Sequence, residues 1–426
     1  MMKTLETEIV IVGSGPAGAT LAKGLSLAGK KVVLIERGRR EIRLGRMRDG
    51  LRFYEKHTFQ RSKEGIVLYG TNMVGGTSVV ASGNALRSSQ KEFFDLGIDL
   101  ENDFLEAERE LKAAPLPDKC ISEGALKIQE SAQALGLGPK RIPKFTDPGK
   151  CRICGYCVLG CKYNAKWSAV NYVDQAVKNG ASLLTQTRAI KILSANGKVK
   201  GIEAAGPDGP VTIIGNTVII SAGGIQTPVI LQKSGILNAG KKMFCDPFMT
   251  TYGLSKNINQ TKGINAPIYI LKPGRFIAFP FIDPPVQFML YSGARTLFGR
   301  FPRMRTLGMM TKIADESIGR VNVDGSIEKT MTSKDKDKFK EGTGLVKEIL
   351  IKAGADPKSV FTIKQIRGPH PGGTAAIGEV VNKNLETEIK NLFVCDNSVF
   401  PKAPGLPPIL TIIALSKWLS KRLITK

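Results

Sequence analysis

The sequence is short of histidine. Only His57 and His370 occur in 426 residues, so a histidine base has two candidates. No run of 18 uninterrupted apolar residues occurs, so no membrane-spanning helix is expected. No removable leader is expected either, because the apolar start TEIVIVGSG is short and runs at once into a glycine loop. Acidic residues are scarce, 37 against 62 lysines and arginines, which leaves a net charge of +25. A surface that basic suits nucleic acid, anionic lipid or an acidic protein. The charge is spread along the chain with no nucleic-acid motif beside it, so nucleic acid is not expected as a partner. A lysine-rich surface that serves solubility accounts for it slightly better.

What is present is ordinary in bulk: 42% hydrophobic and 23% charged, as in a globular protein. The length calls for two domains, or one large domain with an elaborate insert. Residues 8–37 read EIVIVGSGPAGATLAKGLSLAGKKVVLIER. The apolar run Ile9 to Val12 predicts a buried parallel strand. Gly13, Gly15 and Gly18 follow in G-x-G-x-x-G spacing. In that spacing the first glycine permits a tight turn and the second lets backbone approach a pyrophosphate. The third lets helix pack on strand. The helix N-terminus then faces the phosphates. A second strand, Lys31 to Ile35, ends in Glu36, an acid placed to accept ribose hydroxyls.

Three further stretches carry pattern. GTNMVGGTSVVASGNALR, Gly70 to Arg87, holds a Gly-Gly-Thr-Ser turn that lets backbone approach a flat ring or phosphate. VIISAGGIQTPVILQKSGI, Val218 to Ile236, reads as strand, glycine turn and a helix with Pro228 in its first turn. HPGGTAAIG and then NLFVCDNSVFPKAPGLPPILTIIALSKWLSKRL lie between His370 and Leu423. A strand, Leu392 to Cys395, meets Asp396, and a proline-rich loop precedes an amphipathic last helix.

Together, in this order, the segments resemble the glucose-methanol-choline (GMC) family of FAD oxidoreductases. The resemblance implies an α/β fold: a doubly wound Rossmann-like FAD domain with an inserted, shortened α+β substrate domain and a Cys-rich loop. The expected division is 1–240 and 366–426 for FAD, with a Cys-rich insert near 115–170, and 241–365 for substrate. Runs such as PIYIL, RFIAFPFI and VQFMLY in the last region read as strands. The resemblance implies that Gly13, Gly15 and Gly18 hold the pyrophosphate and that Glu36, with Arg37, holds the adenosine ribose. Gly75, Gly76 and Thr77 then lie beside flavin and pyrophosphate, Asn84 near the isoalloxazine, and Ala189 against adenine. Ala222, Gly223, Asp396 and Asn397 join the cofactor site, and Pro408 and Ile409 approach the flavin. His370, in H-P-G-G-T, becomes the catalytic base, taking a hydroxyl proton as hydride moves to flavin N5. His57 sits in a polar stretch without a motif and reads as a surface residue. One departure stands out: Pro407 replaces the family's polar partner, and a proline ring offers no hydrogen bond to substrate.

CRICGYCVLGCKYNAKWSA, residues 151–169, holds Cys151, Cys154, Cys157 and Cys161 in C-x2-C-x2-C-x3-C spacing. That is the bacterial ferredoxin spacing without its proline, Lys162 standing in its place. An iron–sulfur cluster is expected, four-iron (4Fe-4S) ahead of three-iron (3Fe-4S). Structural cysteines come second and zinc third. The fourth ligand is open between Cys161, Cys120, Cys245 and Cys395. The resemblance narrows to gluconate-dehydrogenase-like flavoprotein subunits, which implies a cluster near the flavin.

The expected function is oxidation of a CH–OH group in a small-molecule substrate, with electrons leaving through the cluster to a redox partner such as a quinone or ferredoxin-like carrier. A ferredoxin-driven reductase and a non-catalytic electron-transfer subunit are the alternatives. The setting is cytoplasmic, with peripheral contact at the inner membrane face and hetero-oligomer formation both allowed.

Overall fold

The strand Lys3–Val12 ends in four consecutive buried residues, as a strand covered on both faces requires. In the computed structural model, which describes residues 3–42, 44–46, 59–293 and 302–425, it lies inside a seven-stranded sheet. His57 falls outside the described residues. Lys3–Val12 pairs in parallel with Val32–Ile35 on one side and with Gly209–Ile220 on the other. Ser182–Leu184 extends the sheet beyond Val32–Ile35. Gly209–Ile220 changes partner along its length. Its first half pairs antiparallel with Lys198–Gly206, and Val218 to Ile220 pair in parallel with Leu392–Val394. Four strands therefore end at one edge, and the next residues are Gly13, Glu36, Ser221 and Cys395–Asp396. Such an edge is where doubly wound sheets bind ligands.

The helix Pro16–Leu27 starts with proline in its first turn, where the missing N–H costs nothing. It packs against Val170–Lys178 and the last helix, Ile409–Ile424. That last helix is not the amphipathic element its sequence suggests. Every residue from Leu410 to Ser420 is buried, because Glu101–Glu110 covers a further side. Lys417 pairs there with Glu106 at 2.7 Å and Glu110 at 3.0 Å.

A second, nine-stranded sheet lies beyond the first. Its middle runs Phe248–Leu254, Thr306–Lys312, Phe276–Pro280, Ile268–Lys272, all antiparallel. Strands from outside 241–365 complete it: Phe59–Arg61, Val67–Tyr69 and Lys140–Arg141. The helix Ser333–Lys352 covers one face. Of the three expected strands, PIYIL and RFIAFP form; VQFMLY is instead the helix Pro285–Ser292. Pro285 at its start fixes φ for a first helical turn, and a short apolar run alone does not distinguish helix from strand. Among the described residues no helix is long and apolar enough to cross a membrane.

Pro228 is displaced from its expected position. The helix begins at Gly223, so Pro228 lies inside it and cannot donate to the carbonyl of Gly224. The Thr374 hydroxyl donates to that carbonyl instead, at 2.8 Å, with Thr374 fully buried. The threonine of H-P-G-G-T thus closes a gap left by a proline in a distant segment. Thr374→Val removes the donor and leaves a buried carbonyl unmet. Denaturant unfolding should show a loss of about 1–3 kcal/mol; an unchanged midpoint would refute the role.

Candidate active site

The glycine loop after the first strand is shaped by close contacts. Gly13 has φ +99°, and a Cβ on Gly18 would overlap the Gly13 carbonyl. Gly15 is different: a Cβ there meets nothing within 4 Å, because the position faces open space. Ser14 ties three segments together. Its N–H (3.1 Å) and hydroxyl (2.7 Å) both donate to Glu36 Oε2, and its hydroxyl accepts from the N–H of Gly75 at 3.1 Å. Glu36 Oε1 accepts from the Gly38 N–H at 2.8 Å. On the far side, Asp396 Oδ2 accepts from the Gly223 N–H (2.8 Å) and the Thr227 hydroxyl (2.6 Å).

These loops border a cleft of about 360 Å³. Gly13, Gly15, Glu36, Arg37, Gly76, Thr77, Asn84, Ala189, Ala222 and Gly223 line it, as do Asp396, Asn397, Pro408, Ile409 and His370. Gly18 and Gly75 shape its wall by packing rather than by facing it. The cleft suits FAD. Gly15 leaves room for a pyrophosphate at a helix N-terminus. Asn397 donates from Nδ2 to the carbonyls of His370 (3.1 Å) and Pro371 (3.0 Å), while its Oδ1 is buried with no partner, an acceptor awaiting a donor.

His370 retains 20% side-chain exposure, towards the cleft. Its Nδ1 lies 3.1 Å from Asp246 Oδ2. The same oxygen takes the Lys312 ammonium at 2.7 Å, and Asp246 Oδ1 accepts the Gly405 N–H at 2.8 Å. A carboxylate accepting at Nδ1 fixes the tautomer with Nε2 unprotonated. Burial, reinforced by Lys312 and opposed by Asp246, pushes the His370 pKa down to about 4. Burial alone would raise Asp246; Lys312 and His370 outweigh it and hold Asp246 below the usual carboxylate range. Tyr69, Phe248, Phe279, Phe281 and Met310 give the remaining cleft an apolar body, with Gln60, Asp283 and Gln287 as polar points.

Sequence reasoning missed Asp246, Lys312 and Asp283. One signal existed: Lys312 closes the otherwise uncharged strand TLGMMTK, and a buried cation needs a partner. Nothing local says which acid supplies it.

The cysteine run borders the same cleft through Val158. All seven cysteines are free. Cys151 and Cys157 pack on Cys120, Leu116 and Ile264. Cys245 and Cys395 lie in other cores, beside Asp315 and Ser416. Burial raises the Cys151 thiol to about 11 and raises Cys157 as well. Among the described residues no three His, Cys, Asp or Glu side chains converge on a point able to hold one metal ion. Lys144 and Lys166 are buried between this run and the cleft, and burial lowers them to about 7 and about 8.

Two family profiles of GMC oxidoreductases match the chain, one over residues 7–259 and one over 320–416. An uncharacterized protein of Methanocaldococcus jannaschii is 30% identical over 414 residues, 96% of this chain and 98% of that one. A long-chain-alcohol oxidase of Arabidopsis thaliana is 25% identical over 98% of this chain and 68% of its own. The crystal structure of pyridoxine 4-oxidase from Mesorbium loti superposes with a TM-score of 0.75 at 16% identity, covering 99% of each chain.

Gly15 and Gly18 make opposite predictions. Gly15→Ala should purify with little FAD yet match the FAD-stripped parent in thermal stability, since only open space receives the methyl group. Gly18→Ala should lower thermal stability itself. Full flavin loading in Gly15→Ala would refute the pyrophosphate assignment.

Proposed function

The chain belongs to the GMC oxidoreductase family, and from that premise we propose that it oxidises a CH–OH group with His370 as base, electrons passing on to an external acceptor. The observation that carries the reading is the buried chain Lys312–Asp246–His370 opening into the cleft. FAD held by the cleft loops would supply the acceptor for the hydride of the carbinol carbon. The protein's residues manage the proton. Asp246 holds Nδ1–H, which leaves Nε2 as the acceptor for the substrate hydroxyl proton. As His370 gains that proton, the Asp246 carboxylate stabilises the imidazolium without moving. Lys312 keeps Asp246 ionised before substrate arrives.

The loss of a polar residue at Pro407 therefore does not leave His370 unsupported, because its support comes from behind the ring. The apolar body of the cleft favours a substrate whose hydroxyl is carried on a hydrophobic frame. The long-chain-alcohol oxidase and pyridoxine 4-oxidase relatives agree with an alcohol as substrate class. We read Cys151, Cys154 and Cys157 as ligands of an iron–sulfur centre, which would supply single-electron transfer when bound; the packing of Cys151 and Cys157 together on Cys120 supports this.

Anaerobic flavin bleaching tests the base. His370→Gln should slow it by about 10²–10⁴-fold with FAD content unchanged; bleaching at the parent rate would sink the assignment. The pH profile tests the support. The neutral ring is the active form, so the rate should fall as pH drops through about 4. Lys312→Met removes a charge that depresses His370 while Asp246 remains, so the acidic limb should move to higher pH. A limb that stays put would refute the coupling.

A further inference from the structure

Lys144 and Lys166 are buried, and all their hydrogen bonds go to neutral oxygens. Lys144 Nζ donates to the carbonyls of Asn265 (2.6 Å) and Ser82 (3.3 Å) and to Asn84 Oδ1. Lys166 Nζ donates to the carbonyls of Ser78 (2.8 Å) and Val79 (3.0 Å). Among the described residues neither has a carboxylate partner, whereas Lys312, Lys329 and Arg367 each have one. A buried cation without an anion is expensive, on the order of several kcal/mol. The acidic groups that bear on these two are thiols: Cys157 on both, and Cys161 on Lys166.

Ile153, between Cys151 and Cys154, takes φ +44°, a left-handed conformation costly for a β-branched residue.

Cys120 belongs to this group. It is 2% exposed, and Cys151 and Cys157 pack against it. The N–H of Ile264 donates to the Cys120 carbonyl at 3.0 Å, fixing it to the segment that carries Asn265. Cys151 is also within electrostatic reach of Cys154 and Cys157. Cys161 comes after the turn at Gly160, φ +87°, on the Lys166 side. The lack of a point where three donors meet concerns a single ion; around a cubane each thiolate takes its own iron, so the sulfurs need not converge.

We infer that Cys120, rather than Cys161, completes the thiolate set of Cys151, Cys154 and Cys157, and that Lys144 and Lys166 are the counter-cations of the anionic iron–sulfur centre held there. This rests on the proposal that the run holds such a centre. The lysines lie on the side facing the cleft, with Ser82 and Asn84 on its wall. A positive wall there stabilises the more negative, reduced form of the centre and so raises its potential.

The test uses the full chain, reconstituted anaerobically with ferrous iron and sulfide, with FAD content as the check on folding. Iron, labile sulfide and the electron paramagnetic resonance spectrum are read for Cys120→Ser and Cys161→Ser. Cys120→Ser should lose iron or convert to a three-iron spectrum, while Cys161→Ser keeps the parent centre. The reverse result overturns this thiolate set and leaves the iron–sulfur proposal standing; a parent protein that takes up no iron sinks both. Lys144→Met and Lys166→Met should keep their iron but titrate at lower potential, and an unchanged potential overturns the counter-cation role. Should Cys120→Ser fail to fold, Cys161→Ser decides the thiolate set, since loss of its iron overturns the assignment.

Discussion

A cation removed from water must be met by an anion or by aimed dipoles, and that requirement fixes the half of this protein that carries His370. Lys312 pairs with Asp246 and Lys329 with Asp315, both at 2.7 Å, and Arg367 pairs with Asp283 at 2.6 Å, all with side chains almost fully enclosed. Such pairs are weak evidence for net stability, because desolvation offsets most of their attraction. They are strong determinants of position, since removing one partner strands the other at about 3–5 kcal/mol. Asp315 also accepts the N–H groups of Cys245 and Asp246, so the segment before Phe248–Leu254 is held to the end of Thr306–Lys312 from two sides. His370 is fastened to that segment twice, by its ring to Asp246 and by its N–H to the Cys245 carbonyl at 3.2 Å.

The cofactor loops are joined to the same histidine by neutral bonds. Asn397 follows Asp396 at the end of Leu392–Val394 and holds the carbonyls of His370 and Pro371. Thr374 in turn holds Gly224, whose carbonyl Pro228 left open. The edge of the first sheet and the ion pairs of the second therefore meet at one turn, H-P-G-G-T. A side chain fixed from both layers keeps its distance to anything bound along that edge, which is what the proposed proton abstraction would require.

The parts of this arrangement that were legible in the sequence are those whose partners are close in the chain. Gly13, Gly15, Gly18 and Glu36 announce themselves because strand, turn, helix and strand follow in one short unit. Ile9 to Val12 and Leu392 to Val394 read as buried strands because nothing polar interrupts them. The ion pairs were illegible because Asp246 and Lys312, or Asp283 and Arg367, meet only after the second sheet closes. Lys144 and Lys166 look like two more surface lysines in a chain rich in them, and Cys120, far from the run in the chain, is one candidate among several for its fourth ligand. VQFMLY misled because its composition suits a strand and only Pro285 hints at a helix.

The charge state of His370 bears on the direction of the chemistry. Burial and Lys312 leave the ring neutral at physiological pH, with the carboxylate of Asp246 ready to receive the imidazolium once it forms. An alcohol oxidation begins from that neutral ring. A carbonyl reduction begins from the protonated ring, the form that burial and Lys312 disfavour. A reductase would be better served by an isolated Asp246 beside His370, which would raise the ring's pKa towards neutrality. The chain instead places Lys312 on the same carboxylate oxygen, which weakens the pull of Asp246 on the proton. The buried lysine that replaces solvent behind the histidine thus keeps the ring in the neutral form from which the proposed oxidation starts.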